Sequence, residues 1–326
     1  MEREPSNHEL AAHPNDGFFK EIFSDPIQAT AFFKSHLPPA IVAAIEWPSL
    51  TVIPTSFVKA NLQQLHSDLL FSVRHGGRDT LLYLLFEHQS TVDPTMPLRL
   101  LGYIGEILTE QHKRHGLPLP PVLPFVLHQG TDAWNVSTAF EDLFALPSEI
   151  ASELLPFLPK FRHALLDLTR CDPGSDEGDT HLRIVLHLMK LAREQRLREY
   201  FRWLAQYTVE QIPESLLRRL LVYALHADSD LDAEEIYRNL TTNSKLEYQV
   251  MSVAEKLKAE GRLEGLSKGI SQGRGEGLLI GKIQTLEEFL DKVQRPRDVL
   301  ELLSVQELEA TYQSLHQEYE IRFKRK

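Results

Sequence analysis

"DLLFSVRHGGRDTLLYLLFEHQS", residues 68–90, reads as two apolar strands, 68–74 and 80–87, joined at a glycine pair. The second strand ends not in turn residues but in Glu87-His88-Gln89. With Gly76-Gly77 at the tip of a two-residue turn, His75 faces Arg78, and counting back sets Asp68 opposite Leu85. Directly opposed residues share a face of the sheet, as do positions two apart on a strand. Asp68, Leu85, Glu87 and Gln89 are therefore expected on one face, with Asp68 and Glu87 roughly 7 Å apart at the backbone. A three-residue turn would send Asp68 to the opposite face, so the register carries the geometry.

Two carboxylates beside an apolar core are costly unless something neutralises them. A hard cation such as Mg²⁺ does so while keeping waters of its own. A metal-acidified water can attack a phosphodiester, and the metal stabilises the charge that develops. Gln89 cannot act as a base, but its amide can orient water or a phosphate oxygen. The plainer alternative is a solvated strand exit at Glu87 and Gln89, with Asp68 capping a loop.

Outward from this hairpin the chain alternates helix and strand. Phe18, Phe19, Ile22 and Phe23 fit one helical face. Ser24-Asp25-Pro26 starts a second helix that Pro38-Pro39 ends. "SLTVIPTSFV" (49–58) is β-branched and proline-interrupted, an edge strand by composition. Residues 94–116 place Leu98, Leu101, Ile104 and Leu108 at helical spacing and stop at Gly116. "PVLPFVLHQG" (121–130) is a further apolar strand. The expected order is α-β-β-β-α-β, an α/β domain over residues 1–145. Residues 147–170 and 181–226 read as helices around the polar linker 171–179, giving a helical region over 146–250. In 251–326 glycines recur at 261, 265, 269, 273, 277 and 281, followed by helix over 284–320.

The composition narrows the function classes. The 326 residues are 42% hydrophobic and 25% charged, in the range of globular proteins, with no apolar run near membrane-spanning length. The first ten residues lack the apolar stretch of a secretory signal. The single cysteine, Cys171, rules out an intrachain disulfide, so the expected compartment is the cytoplasm. The net charge is −11, and residues 1–145 hold 9 Lys/Arg against 16 Asp/Glu. Binding to nucleic acid through the overall field is thereby disfavoured. Any DNA contact must use local basic groups or bound metal.

"NDGFFKEIFSDP", "SFVKANLQQLHSDLLFSV", "LLYLLFEHQSTVDPTMPLRLLGY" and "PFVLHQGTDAW" together resemble the Rpn recombination-promoting nucleases, also described as YhgA-like putative transposases. The likeness spans roughly residues 13–145 in unbroken order. It implies a PD-(D/E)XK restriction-endonuclease-like core and Mg²⁺-dependent DNA endonuclease activity linked to recombination and gene transfer. On this chain it implies Asp68 as the catalytic aspartate, Glu87 as second metal ligand, and Gln89 in place of the superfamily lysine. Two positions depart from the family pattern. Asn15-Asp16 stands where His-Asp is usual, and His128-Gln129-Gly130 where Tyr-His-Gly is usual. The carboxylate triad of an RNase H-like transposase is not visible.

Other residues admit two readings each. Asp16 and Lys20, one helical turn apart, are either a surface i,i+4 pair or an added ligand and phosphate contact. Arg99 and Tyr103 are either a phosphate clamp or a packed tyrosine beside an exposed arginine. His112 and His115 lack the further ligands a zinc site needs, and Cys171 has no evident partner. Six helical glycines at about 1 kcal/mol each suggest a marginal arm for self-association or DNA contact, against a flexible expansion. The expectation is thus a cytoplasmic Mg²⁺-dependent DNA endonuclease, homo-oligomeric (a dimer in the simplest case) through its C-terminal arm and without membrane contact. The alternative is an inactive DNA-binding or regulatory protein that keeps the nuclease fold.

Overall fold

A computed structural model of the chain describes residues 14–53, 69–75, 78–175, 178–208, 210–228, scattered positions between 231 and 256, and 275–323. Asp68 and Gly76-Gly77 lie outside the described residues, as do the glycines at 261, 265, 269 and 273. The chain divides into two compact units, Met1–Val250 and Met251–Lys326.

The first unit opens with helices α1 (Pro14–Phe23), α2 (Pro26–His36) and α3 (Pro39–Ala44). Asp25 caps α2, its Oδ1 accepting from the Ile27 amide at 2.9 Å, and Pro26 opens the helix where no N–H is required. Phe18, Phe19, Ile22 and Phe23 are all fully buried, the face that their spacing predicts.

A five-stranded sheet follows in the order β1 (Thr51–Ile53), β2 (Leu69–His75), β3 (Arg78–Gln89), β4 (Val122–His128), β5 (Ala164–Asp167). β1, β2 and β3 are antiparallel, and β1 is an edge, as its composition suggests. β4 and β5 run parallel to β3. Helix α4 (Met96–His115) makes the crossover from β3 to β4, as a parallel pair requires. The expected order of helix, three strands, helix and strand is present.

Three expectations give way. His75 pairs with Arg78, but an irregularity between Arg74 and His75 slips the ladder by two residues, so Leu85 faces Leu70 rather than position 68. A two-residue slip leaves each side chain on its original face. On α4 the buried positions are Met96, Leu100, Tyr103 and Ile107, while Leu98 is 55% exposed. Tyr103 is the large apolar group that draws the buried stripe to this side. Residues 147–170 are not a long helix: a single turn α5 (Ala151–Leu154) and a 3₁₀ turn at Leu155–Phe157 precede β5. Pro147, Pro156 and Pro159 break the run, each lacking the N–H that a helix interior needs. The sheet thus continues past residue 145.

The two faces of the sheet are filled differently. Tyr83, Leu85, Val126 and Leu70 pack against Met96, Leu100, Tyr103 and Ile107 of α4. On the opposite face Phe86 touches Phe19, Phe23, Phe32, Phe33 and Phe125 at centroid separations of 4.4–5.7 Å. Helices α6 (Thr180–Arg193), α7 (Leu197–Leu204) and α8 (Glu214–Ala227) follow in this unit, α8 packing on α1 and α6 on both α2 and α7. Asp179 caps α6 by accepting from the Leu182 amide at 2.9 Å.

The second unit contains α9 (275–289), α10 (Arg297–Leu300) and α11 (Val305–Phe323). Ile280, Ile283, Leu286, Leu290, Leu300, Leu308 and Leu315 form its core. Buried Glu287 is paired with Arg295 at 2.5 Å and also accepts the Arg295 amide at 2.9 Å. A methyl group at Gly277 or Gly281 would meet nothing within 4 Å among the described residues, so close helix contact there does not explain these two glycines.

Candidate active site at the end of strand β3

Strand alternation separates the polar end of β3 into two sites. Glu87 and Gln89 continue the face of Leu85, beneath α4, whereas His88 continues the face of Phe86. Across the parallel ladder Glu87 stands beside Val126, and Gln89 beside His128, which in turn neighbours Asp167. The carboxyl ends of β3, β4 and β5 therefore gather Glu87, Gln89, His128 and Asp167 on one face. This is the edge at which open α/β sheets bind ligands.

Glu87 is completely buried. Its Oε2 lies 3.5 Å from Nη2 of Arg99, whose Nη1 donates to Asp93 Oδ2 at 3.1 Å and to Gln89 Oε1 at 3.4 Å. A close guanidinium–carboxylate bond measures roughly 2.7–2.9 Å, so Arg99 holds this cluster loosely. Burial alone would lower the Arg99 pKa, but the Tyr103 hydroxyl, Asp93 and Glu87 outweigh it and the pKa is raised. Burial would likewise raise that of Asp93, but hydrogen bonds from Thr95 and Arg99 bring it below the usual carboxylate value. The tyrosine is thus packed in the core, as the plainer of the two sequence readings has it, and it steadies an arginine turned toward the carboxylates.

On the opposite face Asp16 does not act merely as a surface partner of Lys20. Its Oδ1 lies 2.8 Å from Nδ1 of His88, a residue buried under Phe19. His88 Nε2 lies 2.8 Å from Gln129 Oε1. The Gln129 amide group donates to the Met189 carbonyl, which can only accept, so its oxygen must turn toward His88. His88 therefore donates from Nε2 to Gln129, while its Nδ1 stands within hydrogen-bond distance of Asp16. Sequence reading missed this pair of bonds, although the alternation of β3 already places His88 opposite Glu87.

Asp167 also went unnoticed, and His128 was singled out only as part of the His128-Gln129-Gly130 run. His128 donates from Nε2 to the Asp132 carbonyl at 2.8 Å and packs against Trp134. A methyl group at Gly130 would fall 2.4 Å from the His128 ring, so the turn requires glycine there. Asp167 accepts from the Trp134 amide at 2.8 Å and from the Thr169 amide and hydroxyl at 3.0 and 2.8 Å. These bonds fix the loop beside the site.

The YhgA-like putative transposase model matches residues 13–215, which include the sheet, the β3 site and most of the helical layer. The chain belongs to this family. Among curated proteins it is 29% identical over 252 residues to recombination-promoting nuclease RpnD of Escherichia coli O157:H7, covering 75% of this chain and 94% of that one. It is 26% identical over 254 residues to recombination-promoting nuclease RpnA of Escherichia coli K12, covering 76% and 84%. It is also 27% identical over 266 residues to the inactive recombination-promoting nuclease-like protein RpnE of the same strain, covering 79% and 86%. No solved structure matches the chain. Among the described residues no helix is long and apolar enough to cross a membrane, and no cluster of three His, Cys, Asp or Glu forms a metal site.

Asn15 and Gln129 meet in space. The Tyr223 hydroxyl donates to Asn15 Oδ1 at 2.6 Å and accepts from Gln129 Nε2 at 2.9 Å. Positions 15 and 129 thus lie at two ends of one hydrogen-bonded network.

Proposed function

We propose that this family member is a metal-dependent DNA endonuclease that hydrolyses phosphodiester bonds and promotes recombination or gene transfer, on a PD-(D/E)XK-like core. The observation that carries this reading is Glu87. It is a fully buried carboxylate at the carboxyl end of β3, with Gln89 two residues on and Nη2 of Arg99 3.5 Å from its Oε2. An ionised carboxylate so placed requires strong compensation. The named activities of RpnD and RpnA support the same reading.

The donors present suit a hard cation. Glu87 and the Gln89 carbonyl oxygen are oxygen ligands of the kind that Mg²⁺ takes, and Asp68, outside the described residues, would supply the second carboxylate. When bound, Mg²⁺ would acidify a water and stabilise negative charge on phosphate. Gln89 orients water or a phosphate oxygen through its amide. Arg99, 32% exposed at its side chain, reaches from the protein surface to the buried carboxylate and would contact DNA phosphate. Asp16 holds His88 behind the strand, and Tyr103 holds Arg99; Lys20, one turn from Asp16, would add a phosphate contact. The C-terminal unit would serve self-association.

A second reading rests on the same arginine. With Arg99 already beside Glu87, the chain would need no metal to compensate that charge and would act as an inactive DNA-binding relative, as the name of RpnE illustrates. Supercoiled plasmid separates the two. Nicking that needs Mg²⁺, stops with chelator and is lost in Asp68→Ala and Glu87→Ala supports the endonuclease; DNA binding without cleavage supports the second reading.

A further inference from the structure

Gln129 joins the end of β3 to helices far along the chain. Its amide N–H extends the parallel ladder by donating to the Gln89 carbonyl at 2.8 Å. Its side chain crosses the opposite face, with Oε1 accepting from His88 and Nε2 donating to the Met189 carbonyl of α6 at 2.6 Å and the Tyr223 hydroxyl of α8 at 2.9 Å. Both N–H groups and the oxygen of this carboxamide are therefore engaged. Tyr223 is itself fixed: its ring stacks on Phe18 at 4.2 Å and 13°, and its hydroxyl donates to Asn15. Arg193, at the end of α6, donates to the Ser90 carbonyl immediately after Gln89 at 3.4 Å.

The strand end bearing Glu87 and Gln89 is thus gripped from behind by groups on α1, α6 and α8. A buried network in which every member is satisfied admits few alternative geometries, and one unsatisfied member loosens the rest. We infer that the helical layer α6–α8 completes the active site, with Tyr223 acting through Gln129 and His88 as the positioning residue that sets Glu87 and Gln89. This inference rests on the nuclease reading only for its effect on turnover; the hold on Gln129 can be measured without it.

The test uses the full chain and compares Tyr223→Phe with Tyr200→Phe. Tyr223→Phe keeps the ring on Phe18 and removes the hydroxyl bonds to Gln129 and Asn15. Tyr200→Phe removes one buried hydroxyl–carbonyl bond, to Ile184, from the same helical layer. In Tyr223→Phe, kcat for Mg²⁺-dependent plasmid nicking should fall about tenfold with KM for DNA within about twofold. Amide exchange at Gln129 should quicken. Tyr200→Phe should leave both kcat and that exchange as in wild type. Wild-type turnover in Tyr223→Phe, or an equal loss in Tyr200→Phe, overturns the positioning role. If wild type cleaves no DNA, the nuclease reading fails separately and exchange at Gln129 decides: faster exchange in Tyr223→Phe upholds the hold, and unchanged exchange removes it.

Discussion

Arg99 reaches over the end of β3 to the buried Glu87, its Nη2 standing 3.5 Å from Oε2. The guanidinium supplies the positive charge that burial of the carboxylate calls for, at a distance that a small cation could shorten. Removing one partner of a buried pair leaves an uncompensated charge, and with Arg99 one-third exposed the expected loss for Arg99→Ala is about 2 kcal/mol. Urea unfolding measures it. Under the proposed function Mg²⁺ should raise the midpoint of Arg99→Ala more than that of wild type; equal shifts would mean that the cation does not act at Glu87.

His163 offers a pH signature. It is buried against Trp134, neither ring nitrogen finds a hydrogen-bond partner among the described residues, and burial lowers its pKa to about 4. An unfolded histidine titrates near pH 6.5. Between those values the unfolded chain binds a proton that the folded chain refuses, so stability rises with pH there. The contribution is full above about pH 6.5 and declines on acidification toward pH 4, by up to about 3 kcal/mol. Denaturation series from pH 7 to 4 should show a smaller decline in His163→Phe than in wild type.

Phe86 is the hub of the aromatic face, touching rings from α1, α2 and β4. Phe86→Ala removes the transfer energy of a phenyl ring and leaves a cavity among rigid neighbours. A loss of about 3–5 kcal/mol is expected, read from the denaturant midpoint. Because His88 shares this face, the variant should also quicken amide exchange at Gln129.

Gly277 and Gly281 face open space on α9. Alanine at either should stabilise the C-terminal unit by about 0.5–1 kcal/mol, through helix propensity. The same substitutions test the self-association role of the arm. If another copy packs closely on these glycines, alanine weakens the oligomer in analytical ultracentrifugation; if not, the assembly is unaltered while the helix melts higher.

Local signals and long-range geometry were not equally legible in the sequence. Asp25-Pro26, the four buried aromatic and aliphatic positions of α1, and the β3 run all declare their elements, because caps and periodicity act over a few residues. The irregularity at Arg74/His75 escaped a count from an ideal turn, since two extra residues in a ladder leave no compositional mark. β5 was hidden in a leucine-rich stretch whose spacing fits a helix until the prolines are weighed. Glu87 and Gln89 stand out in the sequence because a carboxylate ending an apolar strand is a local anomaly. Gln129 and Tyr223 lie 94 positions apart in the chain, and only the fold brings them together.

The central claim is that Glu87 works in phosphodiester cleavage. Glu87→Gln keeps the size of the side chain and removes its charge, so a variant with wild-type circular dichroism isolates the chemistry. Its rate of Mg²⁺-dependent nicking of supercoiled plasmid, measured beside wild type, is the most direct test. The expected result is a wild-type protein that nicks and a folded variant slower by about 100-fold or more. Undiminished nicking by Glu87→Gln, or no nicking by wild type, would contradict it.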